Sequence, residues 1–211
     1  MEAQEGKASR NKRLKREALL QSAYELFTGK GFSETTIADI TNRAGVAKGT
    51  YYLYYSNKEE IRDHLIRIKA EEILRKAYEA MLETYGTYLK DVEETVVFFA
   101  GNILDQLAQD RVLLGFVRRN LVWGFLRRGV GQVEPFTPDT DRNLLEVLTQ
   151  LFRDSPVKYR NPEAMLYMIV EFAGAACYDS IMEGEPLPIE KFRPYLLDGI
   201  RGIIHSQEIR E

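Results

Sequence analysis

Residues 36–58, TIADITNRAGVAKGTYYLYYSNK, set a tight glycine corner between two short helical segments, and this corner constrains the chain more than any other stretch. Thr36 is an N-capping residue type, and Asp39 follows it at the spacing of an acid-modified capping box. Ile37 and Ile40 face inward, Gly45 lets φ turn positive, and Val46 plugs the angle between the segments. The second segment carries Lys48, Thr50, Tyr51, Tyr52 and Tyr54 with no acid among them. A short helix, a glycine turn and a donor-rich second helix form the arrangement that offers a helix to the major groove of DNA. A plain three-helix scaffold is the competing reading of the same pattern.

Around the corner the hydrophobic spacing is helical. Leu19, Ala23, Leu26 and Phe27 fall on one face of a helix predicted over 12–28, which Gly29-Lys30-Gly31 terminates. A third helix is predicted over about 47–54. Ser56 is the expected cap of a long fourth helix, with Glu59 at the capping-box position, running to about residue 84 through Ile61, Leu65, Ile68, Ile73 and Met81. Segments 91–108, 111–128, 140–154, 162–183 and 189–206 repeat the helical period. No proline occurs before Pro135, and strand-like alternation is nowhere sustained. The expected fold is all-α: an N-terminal three-helix bundle with a helix-turn-helix, joined through a long fourth helix to a C-terminal helical domain. The expected boundaries are a flexible basic arm at 1–11, a DNA-binding domain at 12–56 and the helical domain at 57–211.

Charge is segregated along the chain. Residues 7–58 hold ten Lys or Arg against four acids, a net +6, which leaves −9 for the rest of a chain whose total is −3. A cationic footprint at one end suits a polyanion, whereas the remainder would repel it. Cys177 is the only cysteine, so no disulfide forms within the chain. The first residues carry charge without an apolar run behind it, unlike a signal peptide, and no uninterrupted stretch of about 18 apolar residues occurs. The expectation is a cytoplasmic protein without a membrane partner. Catalysis finds no support: His64 (expected on the surface) and His205 form no ligand set with Cys177, and no phosphate-binding glycine loop or nucleophile elbow is present. No cofactor and no metal are expected.

In the corner, Lys48 is placed to reach guanine edges or a phosphate, and Thr50 a base or backbone oxygen. Tyr52 and Tyr54 can reach phosphate through their hydroxyls, Lys58 can clamp the same backbone, and Thr36 adds a hydroxyl at a helix N-terminus. Tyr51 and Tyr55 read instead as inward packing.

Leu19-Leu20, Ala23, Leu26-Phe27, Gly31-Phe32, Thr35-Thr36-Ile37, Asp39-Ile40, Ala44-Gly45-Val46, Lys48-Gly49-Thr50, Tyr52 and Asn57-Lys58-Glu59 together resemble the N-terminal signature of the tetracycline-repressor-type (TetR) family over residues 12–62. The resemblance implies an all-α homodimeric transcriptional regulator, usually a repressor, released from its operator when a small molecule binds the C-terminal domain. It also puts Thr36, Lys48, Thr50, Tyr52, Tyr54 and Lys58 at DNA-contact positions. Ala47, Tyr51 and Tyr55 depart from the family's usual small hydroxyl residue, aliphatic residue and Phe.

The C-terminal segments carry aromatics and methionine that can line a pocket for a hydrophobic effector or fill an ordinary core. Phe99, Phe116, Trp123 and Phe172 are the candidate lining residues, and Arg119 the candidate partner of an anionic head group. Glu171 is expected to be partly buried and in need of a partner. Gly174, Ala175, Leu196, Ile200 and Ile204 on the last two helices are candidates for a four-helix dimer seam, the symmetric partner of a palindromic operator in double-stranded DNA. A constitutive DNA-binding or architectural protein without an effector is the alternative.

Overall fold

The computed structural model describes residues 7–87, 89, 91–117 and 151–209, and its chain divides into two compact units, Met1–Ile68 and Lys69–Glu211. Helix α1 spans Lys7–Gly29. It starts earlier than the sequence pattern predicts, because nothing between Lys7 and Thr28 breaks a helix and i, i+4 pairs support its exposed side. Arg13 donates to Glu17 at 3.0 Å, and Gln21 to Glu25 at 2.8 Å. Residues 7–11, expected in a flexible arm, are therefore helical.

Helix α2 spans Ile37–Arg43 and closes the capping box that its sequence announces. Thr36 Oγ1 accepts from the Asp39 amide at 3.1 Å, and the Asp39 carboxylate accepts from the Thr36 amide at 2.8 Å. Gly45 then turns at φ +65°, a left-handed conformation that a side chain would resist. Helix α3 is only Lys48–Tyr51. Past Tyr51 the ladder tightens: Leu53 donates to Thr50, while Tyr54 and Tyr55 both donate to the Tyr51 carbonyl. The helical sense thus persists through residue 55, with Tyr51 and Tyr55 both directed into the core.

Helix α4 spans Lys58–Tyr85 and is capped by Asn57 rather than by Ser56. Asn57 Oδ1 accepts from the Glu60 amide at 2.8 Å, and Glu60 reaches back to the Ser56 amide at 2.7 Å, so the reciprocal pair has moved one residue along. The first unit packs Leu19, Ala23, Phe27, Ile40, Tyr51, Tyr55, Ile61 and Leu65 into its interior.

In the second unit, helices α5 (Val92–Gln109), α6 (Arg111–Val117), α7 (Pro162–Met182) and α8 (Ile189–Gln207) surround one core. Asp91 caps α5 and Asn161 caps α7 through their side-chain oxygens. Val96, Leu104, Leu114, Met165, Ile169, Cys177, Leu196, Ile200 and Ile204 fill the core, and a smaller cluster joins Phe99 to Ala77 and Met81. Two ion pairs bind α8 to α5: Arg193 to Asp105 at 2.7 Å and Arg201 to Glu93 at 3.3 Å. An 18-residue window of α7 has a mean hydropathy of 1.3 with only 28% of it buried, which makes α7 long and apolar enough, by composition alone, to cross a membrane.

Candidate nucleic-acid interface

The exposed residues at the corner fall in a pattern. Lys48 and Tyr52 are four apart, as are Gly49 and Leu53, so all four emerge on one side of the α3 region. Tyr52 is 52% exposed and Leu53 77%. On the opposite side Tyr51 is fully buried, and its hydroxyl donates to the Asn57 carbonyl at 2.8 Å. Burial first, and then the neighbouring Tyr55 and Glu60, push the Tyr51 phenol well above its ordinary pKa.

Tyr54 is half-buried, and its hydroxyl donates to the Lys12 carbonyl at 3.0 Å. That bond ties the turn after α3 to the basic half of α1, where Arg10, Lys12 and Lys15 are exposed. Thr50 is half-buried beside this face.

Two candidate contacts are already engaged within the chain. Lys58 Nζ donates to the carbonyls of Phe32 at 2.6 Å and Thr35 at 2.7 Å, and sits 4.3 Å from the centre of the Phe32 ring. Its ammonium stitches the α1–α2 connection to the start of α4, so a free phosphate clamp is not what the fold presents there. The Thr36 hydroxyl is engaged with Asp39, whose carboxylate is held well below its ordinary pKa by Lys30, at 2.7 Å, and then by Thr36. A carboxylate at that helix start takes up the position where a phosphate would sit.

His64 also departs from expectation. It is half-buried, with Nδ1 2.9 Å from the Tyr55 hydroxyl, and burial followed by Arg67 and Arg16 lowers its pKa to about 4. The signal for this was present in the sequence: His64 stands three residues past Ile61 and so shares its inward helix face.

In the second unit the effector candidates do not share one site. Phe99 is buried against Ala77 and Met81, and Phe116 packs at the edge of the main core. Phe172 lies on the outer side of α7, 37% exposed. Its ring covers Gly199, where an added Cβ would come within 2.6 Å of it. Arg119 and Trp123 lie outside the described residues. Glu171, expected to be partly buried, is exposed. A groove of about 420 Å³ instead runs beside Tyr85, Phe98, Gly101, Asn102, Arg193 and Leu197. Its arginine could have been anticipated only by knowing that α5 and α8 pair.

The dimer candidates separate too. Leu196, Ile200 and Ile204 have no exposed surface and belong to the chain's own core, so they are not available to a partner. Gly174 is half-buried and Ala175 exposed. Cys177 is fully buried, and burial pushes its thiol up to about 11. Among the described residues, no group of three or more His, Cys, Asp or Glu is placed to hold a metal ion.

A glycine-cornered pair of short helices braced by α1 and the start of α4, on an otherwise helical body, defines a helix-turn-helix regulator fold. The profile of bacterial regulatory proteins of the tetR family matches residues 19–65. Over 47 residues the chain is 45% identical to the uncharacterized HTH-type transcriptional regulator YvdT of Bacillus subtilis, 22% of this chain and 24% of that one. Over 74 residues it is 32% identical to the fatty acid metabolism regulator protein of Bacillus subtilis, 35% of this chain and 38% of that one. These stretches cover about half or less of the relatives' own length, reaching 52% for YdgC of Bacillus subtilis, which is 30% identical over 103 residues, 48% of this chain. Among solved structures, a TetR-family regulator from Streptomyces coelicolor superposes with a TM-score of 0.63 at 14% identity, covering 92% of this chain and 99% of that one. FadR of Bacillus subtilis in complex with stearoyl-CoA gives 0.57 at 18% identity over 87% and 96%. Residues 19–65 thus match the tetR family, and the chain shares the fold of solved TetR-family regulators.

Proposed function

We propose that the protein is a ligand-responsive, DNA-binding transcriptional regulator, a repressor that leaves a palindromic operator when a small, largely hydrophobic effector binds its helical domain. The observation that carries the DNA reading is the side of the α3 region on which Lys48, Gly49, Tyr52 and Leu53 are all exposed while Tyr51 is buried behind them. Lys48 offers the cation and Tyr52 the hydroxyl for bases and phosphates. The basic residues of α1 add sequence-independent affinity, whose signature is a steep salt dependence. Thr50 and Tyr54 border the same contact, Tyr54 mainly by holding α1 in register. A cytoplasmic location follows from this role.

The protein acts as a homodimer through the outer sides of α7 and α8. Met168, Phe172 and Ala175 on α7 and Tyr195, Gly199 and Gly202 on α8 are exposed or half-buried, and Tyr195 is 66% exposed. An apolar helix with so little of its surface buried in its own subunit suits a second copy, and the small residues allow close approach. The effector class first to be tested is acyl, on the strength of the likeness to the fatty acid metabolism regulator protein and to FadR bound to stearoyl-CoA. Arg193 lines the α5–α8 groove, and an anionic head group there would take the place of the Asp105 carboxylate that now pairs with it.

The test is selection of duplexes from a random pool by the full chain, followed by anisotropy at fixed salt. Lys48→Ala is expected to weaken the selected duplex at least tenfold with unchanged melting temperature and subunit count in native mass spectrometry. Equal affinity of the variant, or no enriched duplex, sinks the reading.

A further inference from the structure

Gly49 has no structural reason, within this chain, to be glycine. Its φ lies outside the left-handed region, and a Cβ built on it meets nothing within 4 Å. Glycine inside a helix costs about 1 kcal/mol relative to alanine. The fold would therefore gain from a side chain at this position. Four residues on, Leu53 projects an apolar side chain that is 77% exposed, beside the exposed Tyr52 and on the side that also carries Lys48. A bare backbone next to an unburied branched side chain makes an apolar notch in the middle of a polar face.

We propose that Gly49 and Leu53 form a seat for the C5-methyl group of a thymine, and that Leu53 is a base-specificity residue of this protein. The inference rests on the reading of the α3 region as the groove-facing element. The thymine methyl is the apolar group that the major groove presents, and apolar side chains are its partners there. Gly49 lets the base edge approach the helix backbone closely, and Leu53 supplies the surface that covers the methyl. Lys48 and Tyr52 fix the register by their polar contacts on either side.

Uracil is thymine without that methyl, so single thymine-to-deoxyuridine replacements in the selected duplex isolate the contact. With the full-length protein, at least one such replacement in each half-site is expected to weaken binding about fourfold, the factor for exposing one methyl-sized group. In Leu53→Ala the same replacement should have no effect. Gly49→Ala should bind at least tenfold more weakly while its melting temperature stays the same or rises, an outcome that misfolding does not produce. The proposal is overturned if the wild-type protein is indifferent to every replacement, or if Leu53→Ala keeps the full sensitivity. Failure to enrich any duplex would remove the DNA reading itself, and this proposal with it.

Discussion

Lys58 Nζ lies 2.7 Å from the carbonyl oxygen of Thr35, and the same ammonium reaches the Phe32 carbonyl at 2.6 Å. The bond crosses 23 residues of sequence and closes the connection that orients α2 against the start of α4. Charge-assisted bonds of this kind contribute about 1.5–3 kcal/mol each when well made. Part of that is offset here by the partial exposure of the site.

Lys58→Met keeps the aliphatic stem over the Phe32 ring and removes the donors, leaving the carbonyls of Phe32, Ser33 and Thr35 to seek water. The expected result is a loss of about 1–3 kcal/mol of stability, read as a lower urea midpoint with an unchanged m-value. A free DNA contact at this position would give the reverse, with unchanged stability and weaker operator binding.

His64 against Tyr55 predicts a pH dependence. The folded pKa is lowered from an ordinary 6.5 to about 4, so below pH 6.5 the unfolded chain binds a proton that the folded chain refuses. Stability from this group is complete above pH 6.5 and is lost as the pH falls toward 4. Facing it are Arg16 and Arg67, which oppose protonation, and Glu60, which favours it. Urea midpoints for wild type and His64→Gln should converge as pH falls from 7 to 4.5, because the variant lacks this one titration. Parallel curves would count against it.

The parts legible in sequence were those set by local chemistry. Thr36 with Asp39, Gly45 after Ala44 and the inward Tyr51 follow from residue type and short spacing, and the fold realises each of them. Long-range engagement left no such mark. Nothing within five residues of Lys58 says that its ammonium will meet carbonyls 23 and 26 residues earlier. Helical periodicity likewise treats Leu196, Ile200 and Ile204 as an apolar stripe without saying whether the stripe meets its own core or a partner. Packing α8 against α7 and α5 settled that question in favour of the core. Leu53 escaped notice for the opposite reason: an apolar residue beside tyrosines reads as core until its exposure is known.

Tyr54 supplies the remaining prediction. Its hydroxyl donates to the Lys12 carbonyl across 42 residues, at a point where α1 carries exposed Arg10, Lys12 and Lys15. Tyr54→Phe keeps the ring and deletes the donor, at an expected cost of about 1 kcal/mol. Because the lost bond anchors the first turns of α1, amide hydrogen exchange should quicken over residues 7–15 and stay unchanged in the buried part of the helix near Leu19 and Ala23. Operator affinity should fall together with the salt slope, since a frayed α1 brings fewer cations to the backbone. A phenol that touched phosphate directly and braced nothing would lower affinity while leaving exchange in α1 at the wild-type rate, and that result would refute the bracing role.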